Sequence, residues 1–378
     1  MIDGNVLAGW LSRLVQIPSV SPAQAGPRAG TPGEGQLAAA VARWFREFGG
    51  EVHTEEVLPG RPNVYGIWRG RSDRWAAVDV HMDTAGVEQM AGEPFSGSIG
   101  EGRVHGRGAV DTKATLAVTL ALLETMHRTG CTPQPNLVIA TTVDEEVLAR
   151  GASAFAGWVR EQGISLDHLL VAEPTGCVPA HGHKGVLRLE FRVKGKSTHT
   201  SQPHLGQNAV VAAAHLVLAM DEEHQRLQTT PPTTSLGPAT LTVSIIHGGT
   251  GLNVVPDACQ VCVDWRVVAD EDAAEVSASL SELARRSCPL PVAVEVLLEK
   301  DAFLQSPDTP WMQQLAKWSG QTPIIVPFGT NAWAYRGLAD ECAVLGPGSI
   351  DQAHGAEEWV DIEQLEKLAS IYTRWWEI

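Results

Sequence analysis

Three nearly unbroken apolar runs, WAAVDV (75–80), NLVIATTV (136–143) and LDHLLVAE (166–173), each lead directly into an acid or a histidine. Runs without polar alternation belong to strands buried on both faces. Stretches of helical spacing separate them: Leu37, Val41, Trp44, Phe45 and Phe48 within 34–48, stopped by Gly49-Gly50, and Leu116, Leu120 and Leu123 within 113–129. This alternation predicts an α/β fold, a mixed but mostly parallel sheet flanked by helices. In such sheets functional side chains gather beyond the carboxyl ends of the strands. The residues delivered there are His81 and Asp83, Glu145 and Glu146, and Glu173, and a further strand-like run, VHGRGAV (104–110), delivers Asp111.

Near residue 183 the pattern changes. LRLEFRVKGK alternates apolar and charged residues at period two, which marks a half-buried antiparallel strand. A helical stretch, QNAVVAAAHLVLAMDEEHQRLQ, and two further strands, ATLTVSIIHGG and DACQVCVDWRVV, follow it, with the Pro/Thr-rich TTPPTTSLGP reading as a loop. Residues 183–293 are therefore expected to form a smaller α+β domain inserted into a first domain made of 1–182 and 294–378, the one that carries the candidate ligands. Strand-like PIIVPFG and ECAVLG and a closing helix from Ile362 would return the chain to the first domain and bring His354 back to it.

Composition permits a large core and excludes several partners. The 378 residues are 44% apolar and 19% charged, an ordinary globular balance. A formal net charge of -16 without a Lys/Arg run argues against nucleic acid, and no stretch approaches the roughly 18 apolar residues that cross a bilayer. The amphipathic opening MIDGNVLAGWLSRLVQIPSV lacks a signal-peptide pattern, and six cysteines are too few for a disulfide framework, so a cytoplasmic protein is expected. Cys259 and Cys262 form a CxxC inside a strand-like run with no second pair, and read as ordinary thiols.

Taken singly, each candidate ligand has an ordinary reading: a loop histidine beside a turn aspartate, a helix N-cap at Asp111, a solvated pair of acids at 145–146. Together they supply two imidazoles and several carboxylates, enough to hold two divalent metals around a bridging water. In HMD, period-two alternation puts His81 and Asp83 on one side, where the Asp83 carboxylate could accept from the ring nitrogen that does not face metal. Of the adjacent acids, one would bind metal while its neighbour takes a proton from water. No GxGxxG follows the first strand, against a dinucleotide-dependent oxidoreductase.

The ordered motifs VDVHMDT, GRGAVDTKATLA, TTVDEEV, LLVAEPTG, KGKSTHTSQPHLGQNAV, GGTGLNVVPDACQVCVDWRV and LGPGSIDQAH resemble the di-zinc family that includes aminoacylase, acetylornithine deacetylase, succinyl-diaminopimelate desuccinylase and carboxypeptidase G. The resemblance covers nearly the whole chain and is strongest to acetylornithine deacetylase. It implies one zinc on His81 and Glu173, another on Glu146 and His354, and Asp111 bridging both, with cobalt or manganese as alternative metals. It further implies that Glu145 is the general acid/base, that Asp83 orients His81, and that His199 polarises the substrate carbonyl, often across a dimer. Arg266, Asn253 and Gly329 match substrate-contacting positions. In FGTNAW, Asn331 and Trp333 replace the usual small or acidic residues at what the resemblance implies is the border of the substrate pocket, and DTKATLA lacks the glycine pair common after the bridging aspartate.

The expected activity is hydrolysis of an amide in an N-acylated amino acid. N-acetyl-ornithine-type deacetylation, with a place in arginine biosynthesis, is the first reading; succinyl-diaminopimelate desuccinylation or dipeptide hydrolysis is the second. A non-catalytic binding relative would lack a ligand or the base, and none is missing. The resemblance also implies a homodimer formed through the inserted domain.

Overall fold

The computed structural model describes residues 2–378. Its elements, in chain order, begin with α1 (Gly4–Val15), α2 (Gly35–Glu47), β1 (Glu51–Leu58), β2 (Arg61–Trp68), β3 (Trp75–His81), β4 (Ile99–Gly100), β5 (Arg103–His105) and α3 (Lys113–Thr129). Next come β6 (Asn136–Thr142), α4 (Arg150–Glu161), β7 (Leu166–Val171), β8 (Ala180–His183), β9 (Val186–Lys194), α5 (Ala209–Thr229), β10 (Thr240–Gly248) and β11 (Ala258–Arg266). The chain ends with α6 (Ala273–Ser287), β12 (Val292–Lys300), β13 (Phe303–Leu304), α7 (Pro310–Ser319), β14 (Ile324–Ile325), β15 (Ala339–Val344), β16 (Trp359–Asp361) and α8 (Ile362–Trp376).

Two compact units result. One comprises the chain up to His181 with Gln305–Val326 and Thr330–Ile378; the other is Gly182–Leu304 with Pro327–Gly329. In the first, the sheet order runs β1-β2-β6-β3-β7-β15-β8. The three central pairings, β6 with β3, β3 with β7 and β7 with β15, are parallel, and antiparallel strands lie outside them. This is the α/β arrangement the apolar runs imply. Alternation then assigns the faces. Val78 and Val80 join Leu137, Ile139 and the buried sides of α1, α3 and α8 in one core. On the opposite face Tyr65 packs against Phe155 and Trp158 of α4.

The second unit carries the four-stranded antiparallel sheet β10-β11-β9-β12, with β9 central and α5 and α6 beside it. The insert was expected to close at 293, but β12 pairs along β9 from Val292↔Val193 to Lys300↔Val186. Those hydrogen bonds place the return to the first unit after Leu304. Two other expectations also shift. PIIVPFG yields only the two-residue β14, and VHGRGAV leaves strand conformation after His105. Gly106 and Gly108 there take φ of 132° and 83°, where a Cβ at Gly106 would lie 2.5 Å from Val15 Cγ1 and one at Gly108 2.8 Å from Thr84 Cγ2. The segment therefore turns under α1 and sets Asp111 down just before α3.

Candidate metal centre

β3 carries His81 into the space beyond its carboxyl end, where the residue is 2% exposed. Its Nδ1 donates to the Asp83 backbone carbonyl at 2.9 Å, since a carbonyl can only accept. Nε2 therefore faces the cluster, 3.0 Å from Asp111 Oδ1, and is the nitrogen whose lone pair a metal would take from the neutral ring. The ring is thus oriented by the Asp83 carbonyl, whereas the sequence suggested its carboxylate, which lies 3.6 Å from Nδ1. The carboxylate has other partners: Oδ1 accepts from the Glu145 N–H at 3.0 Å and Oδ2 from the Glu146 N–H at 3.1 Å. Asp83 consequently ties the strand that bears His81 to the turn that bears both glutamates.

That turn has a second anchor. Asp144 takes a φ of 70°, uncommon for a residue with a side chain, and its N–H donates to Glu34 Oε1 at 3.1 Å. Arg61 donates to Glu34 at 2.7 Å and lies 3.2 Å from Asp144 Oδ1, while Arg150 donates to Asp144 Oδ2 at 2.7 Å. Burial pushes the Glu34 carboxyl above its ordinary value, against the opposing pull of Arg61. Glu34 thus joins Arg61, 27 residues away, and Asp144, 110 residues away, into one support beneath the turn. No local sequence pattern singles them out.

Asp111 does not cap α3. Thr112 occupies that position without a side-chain cap, leaving the Asp111 carboxylate to the cluster. His354, half exposed and with φ of 59°, brings Nε2 to 3.2 Å from Asp111 Oδ2 and 3.1 Å from Glu146 Oε1. Burial works to raise the Asp111 carboxyl, but hydrogen bonds from His354 and His81 outweigh it and hold the group well below the carboxylate range. Those same contacts, with Asp111 first and Glu146 second, lift His354 to about 10. Burial works to lower His81, but its hydrogen bond to Asp111 and the nearby Asp83 carboxylate outweigh it and raise the ring. Burial, followed by the charge of Asp111 and opposed by His354, raises Glu146.

Glu173 sits two residues beyond β7 and is 5% exposed. Among the described residues no hydrogen bond reaches its carboxylate. Burial and then the charges of Asp111 and Glu145 push it well above the ordinary range. A buried carboxylate among carboxylates, with no donor of its own, is a group that needs a cation. The geometry supplies two places for one. His81, Asp111 and Glu173 each offer a ligand atom within 4.8 Å of the others, and so do Asp111, Glu146 and His354. Asp111 belongs to both groups. Imidazole and carboxylate donors without a thiolate suit zinc and its divalent neighbours.

His199, Asn253, Arg266 and Gly329 all belong to the second unit. His199 is exposed and its Nδ1 accepts from the Ser201 N–H at 3.1 Å. A bridge between His199 and Val254 and a Thr200 N–H donating to Asn253 O bring the 199 and 253 loops side by side. Arg266 pairs with Asp264 Oδ1 at 2.8 Å, and Gly329 is exposed. Asn331, expected to border the substrate, is 1% exposed and donates to Asp79 Oδ2 at 2.9 Å. Asp79 lies two residues before His81, so Asn331 acts in the core behind that ligand.

The model of the peptidase family M20/M25/M40 matches residues 77–378. The chain belongs to this family. Acetylornithine deacetylase of Myxococcus xanthus is 31% identical over 286 residues, 72% of either chain, and that of Vibrio campbellii is 27% identical over 357 residues, 90% of this chain and 91% of its own. Among solved structures, an aminopeptidase of Bacillus cereus superposes with a TM-score of 0.76 at 19% identity, covering 100% of this chain and 98% of its own. An M20 metallo-carboxypeptidase of Sulfolobus solfataricus gives 0.77 at 16% over 98% of both chains. A Bacillus subtilis M20 peptidase described as binding a dinuclear metal gives 0.67 at 16%, covering 99% and 98%. As a member of the M20 family, the chain is a metal-dependent hydrolase.

Proposed function

We propose that the protein hydrolyses the amide bond of an N-acylated amino acid, of the N-acetyl-ornithine type, at a centre of two divalent ions. The observation that carries this reading is the sharing of Asp111 between two ligand groups, with Glu145 anchored beside them through its backbone. His81 and Glu173 would hold one ion and Glu146 and His354 the other, most simply zinc, with cobalt or manganese also compatible. Divalent ions held by these residues would supply an acidified water and polarisation of the scissile carbonyl. Glu145 is the proton carrier: it takes the proton of the attacking water and returns it to the leaving amine nitrogen. With Nδ1–H committed to the Asp83 carbonyl, His81 would offer Nε2 to an ion.

From the inserted unit we assign His199 to the developing oxyanion, Arg266 to the substrate α-carboxylate, and Asn253 and Gly329 to the surrounding contacts. A homodimer through this unit is part of the proposal. Its edge strand β10 exposes Ile245 and Ile246, each a little over 50%, and the stripe Val211, His215 and Leu218 of α5 is exposed too. No helix among the described residues is long and apolar enough to cross a membrane, and we take the enzyme to be cytoplasmic. The identity to acetylornithine deacetylases supports the acetyl-ornithine reading; the peptidases among its structural neighbours support dipeptide hydrolysis as the second. Turnover of N-acetyl-ornithine, N-acetyl-citrulline, N-succinyl-diaminopimelate and a set of dipeptides, with and without chelator, tests the proposal. The acetylated amino acid should turn over fastest, and only with metal present; preference for a dipeptide would move the assignment to the second reading.

A further inference from the structure

Outside the ligands themselves, the most completely buried ion pair near the centre joins Arg107 to Glu358, each 2% exposed, across 251 residues of sequence. Every side-chain hydrogen bond of the pair beyond their own leads to a segment that carries a ligand. Glu358 Oε1 accepts from the backbone N–H of Val110 at 3.0 Å and of Asp111 at 3.2 Å, while Oε2 takes the Arg107 Nη1 at 2.6 Å. Arg107 Nε and Nη2 donate to the Gly86 carbonyl at 3.1 and 2.8 Å, in the loop that follows His81 and Asp83. Nη2 also reaches the Gly355 carbonyl at 3.3 Å, immediately after His354. The Glu358 carbonyl accepts from the Gly106 N–H, and β16 begins one residue later, paired with β5.

Burying two charges strips both of their hydration, a loss recovered only when the partners are well aligned and the remaining donors are satisfied. That condition holds here. Yet apolar side chains of similar volume would fill the space at least as stably, so stability alone gives little reason for charges at this place. What apolar residues could not do is hold three backbone segments in a fixed relation. A planar guanidinium distributes its donors over two carbonyls and a carboxylate, and that carboxylate in turn fixes two peptide N–H groups. The Asp111 carboxylate, shared by both ligand groups, hangs from one of those peptides.

We propose that Arg107 and Glu358 form a clamp that sets the spacing of Asp111 against His81 and His354, and thereby the affinity of the centre for its metals. Both are positioning residues, and the inference rests on the metal centre proposed above. The test compares chelator-stripped wild type, Glu358→Gln and Arg107→Lys by calorimetric titration with zinc, with thermal melts of each stripped protein run alongside. Glutamine keeps the shape but puts an amide N–H against either Arg107 or the two peptide donors. Lysine keeps the charge but cannot serve Glu358, Gly86 and Gly355 together. Exposed Glu357→Gln is the control.

The clamp predicts that both variants fold and bind zinc about 10- to 100-fold more weakly, the usual cost of losing support behind a ligand. Glu357→Gln should bind as wild type. Wild-type affinity in a folded Glu358→Gln or Arg107→Lys would overturn the clamp while leaving the centre intact. Failure of even the lysine variant to fold would overturn it too, in favour of a purely structural pair. Wild-type protein that takes up no zinc would instead overturn the metal centre on which the clamp depends.

Discussion

The two units present their functional candidates in opposite ways. In the first, His81, Asp83, Asp111 and Glu173 are all buried, and the glutamate turn is tethered from Asp83 and Glu34 at once. In the second, His199 and Asn253 are exposed, and Arg266 is partly exposed with its guanidinium occupied by Asp264. Groups meant to hold ions at fixed distances need a rigid surround that water cannot loosen, whereas groups meant to meet a substrate must stay reachable until it arrives. Damage to the ligands of the first unit should therefore strike metal and turnover together. Damage in the second should strike substrate binding with the metals in place.

The largest effect is expected at the shared ligand. Asp111→Asn removes the charge common to both groups, and metal analysis should find both ions depleted with turnover at background. Retention of both ions would break the contrast between the units at its strongest point. Glu145→Gln should lower kcat by about 10²- to 10⁴-fold with the metal content unchanged, read by steady-state kinetics beside metal analysis. Near-normal turnover there would remove Glu145 from its role. On the other side of the comparison, Arg266→Ala should raise KM by roughly 10- to 100-fold, with a smaller change in kcat, as loss of a charge-assisted hydrogen bond would. If kcat fell and KM held, Arg266 would belong with the chemistry.

The smallest expected effect is a pH dependence that separates metal-free from loaded protein. His81 and His354 are both raised in the cluster, His354 to about 10. A raised folded-state pKa contributes stability that is present below the unfolded value near 6.5 and lost as pH climbs through about 10. Stripped protein should therefore lose stability from neutral toward pH 10. Metal must displace those protons, so zinc affinity should rise over the same interval, and calorimetry at pH 7 should show protons released to the buffer. Zinc heats independent of the buffer's ionisation enthalpy would contradict this.

Much of this was legible in the sequence because burial on both faces leaves a strong signal. The runs at 75–80, 136–143 and 166–173 became the parallel strands β3, β6 and β7, and the histidine and acids they announced lie at their ends. Other features left no local trace. Whether His81 meets the carbonyl or the carboxylate of Asp83 depends on where the glutamate turn lies, and that turn is fixed by Glu34 from 110 residues away. Period-two reasoning could not foresee that VHGRGAV would turn under α1, since the constraint is contact with Val15 and Thr84. Asn331 read as a pocket residue because its motif borders one, yet its partner is the buried Asp79.

The central claim is that one aspartate is shared by two ion sites. The most direct measurement is the number of divalent ions bound per chain when stripped protein is reloaded to saturation and counted by elemental mass spectrometry. The account predicts two for the wild-type chain. A count that saturates at one, or at none, would contradict it.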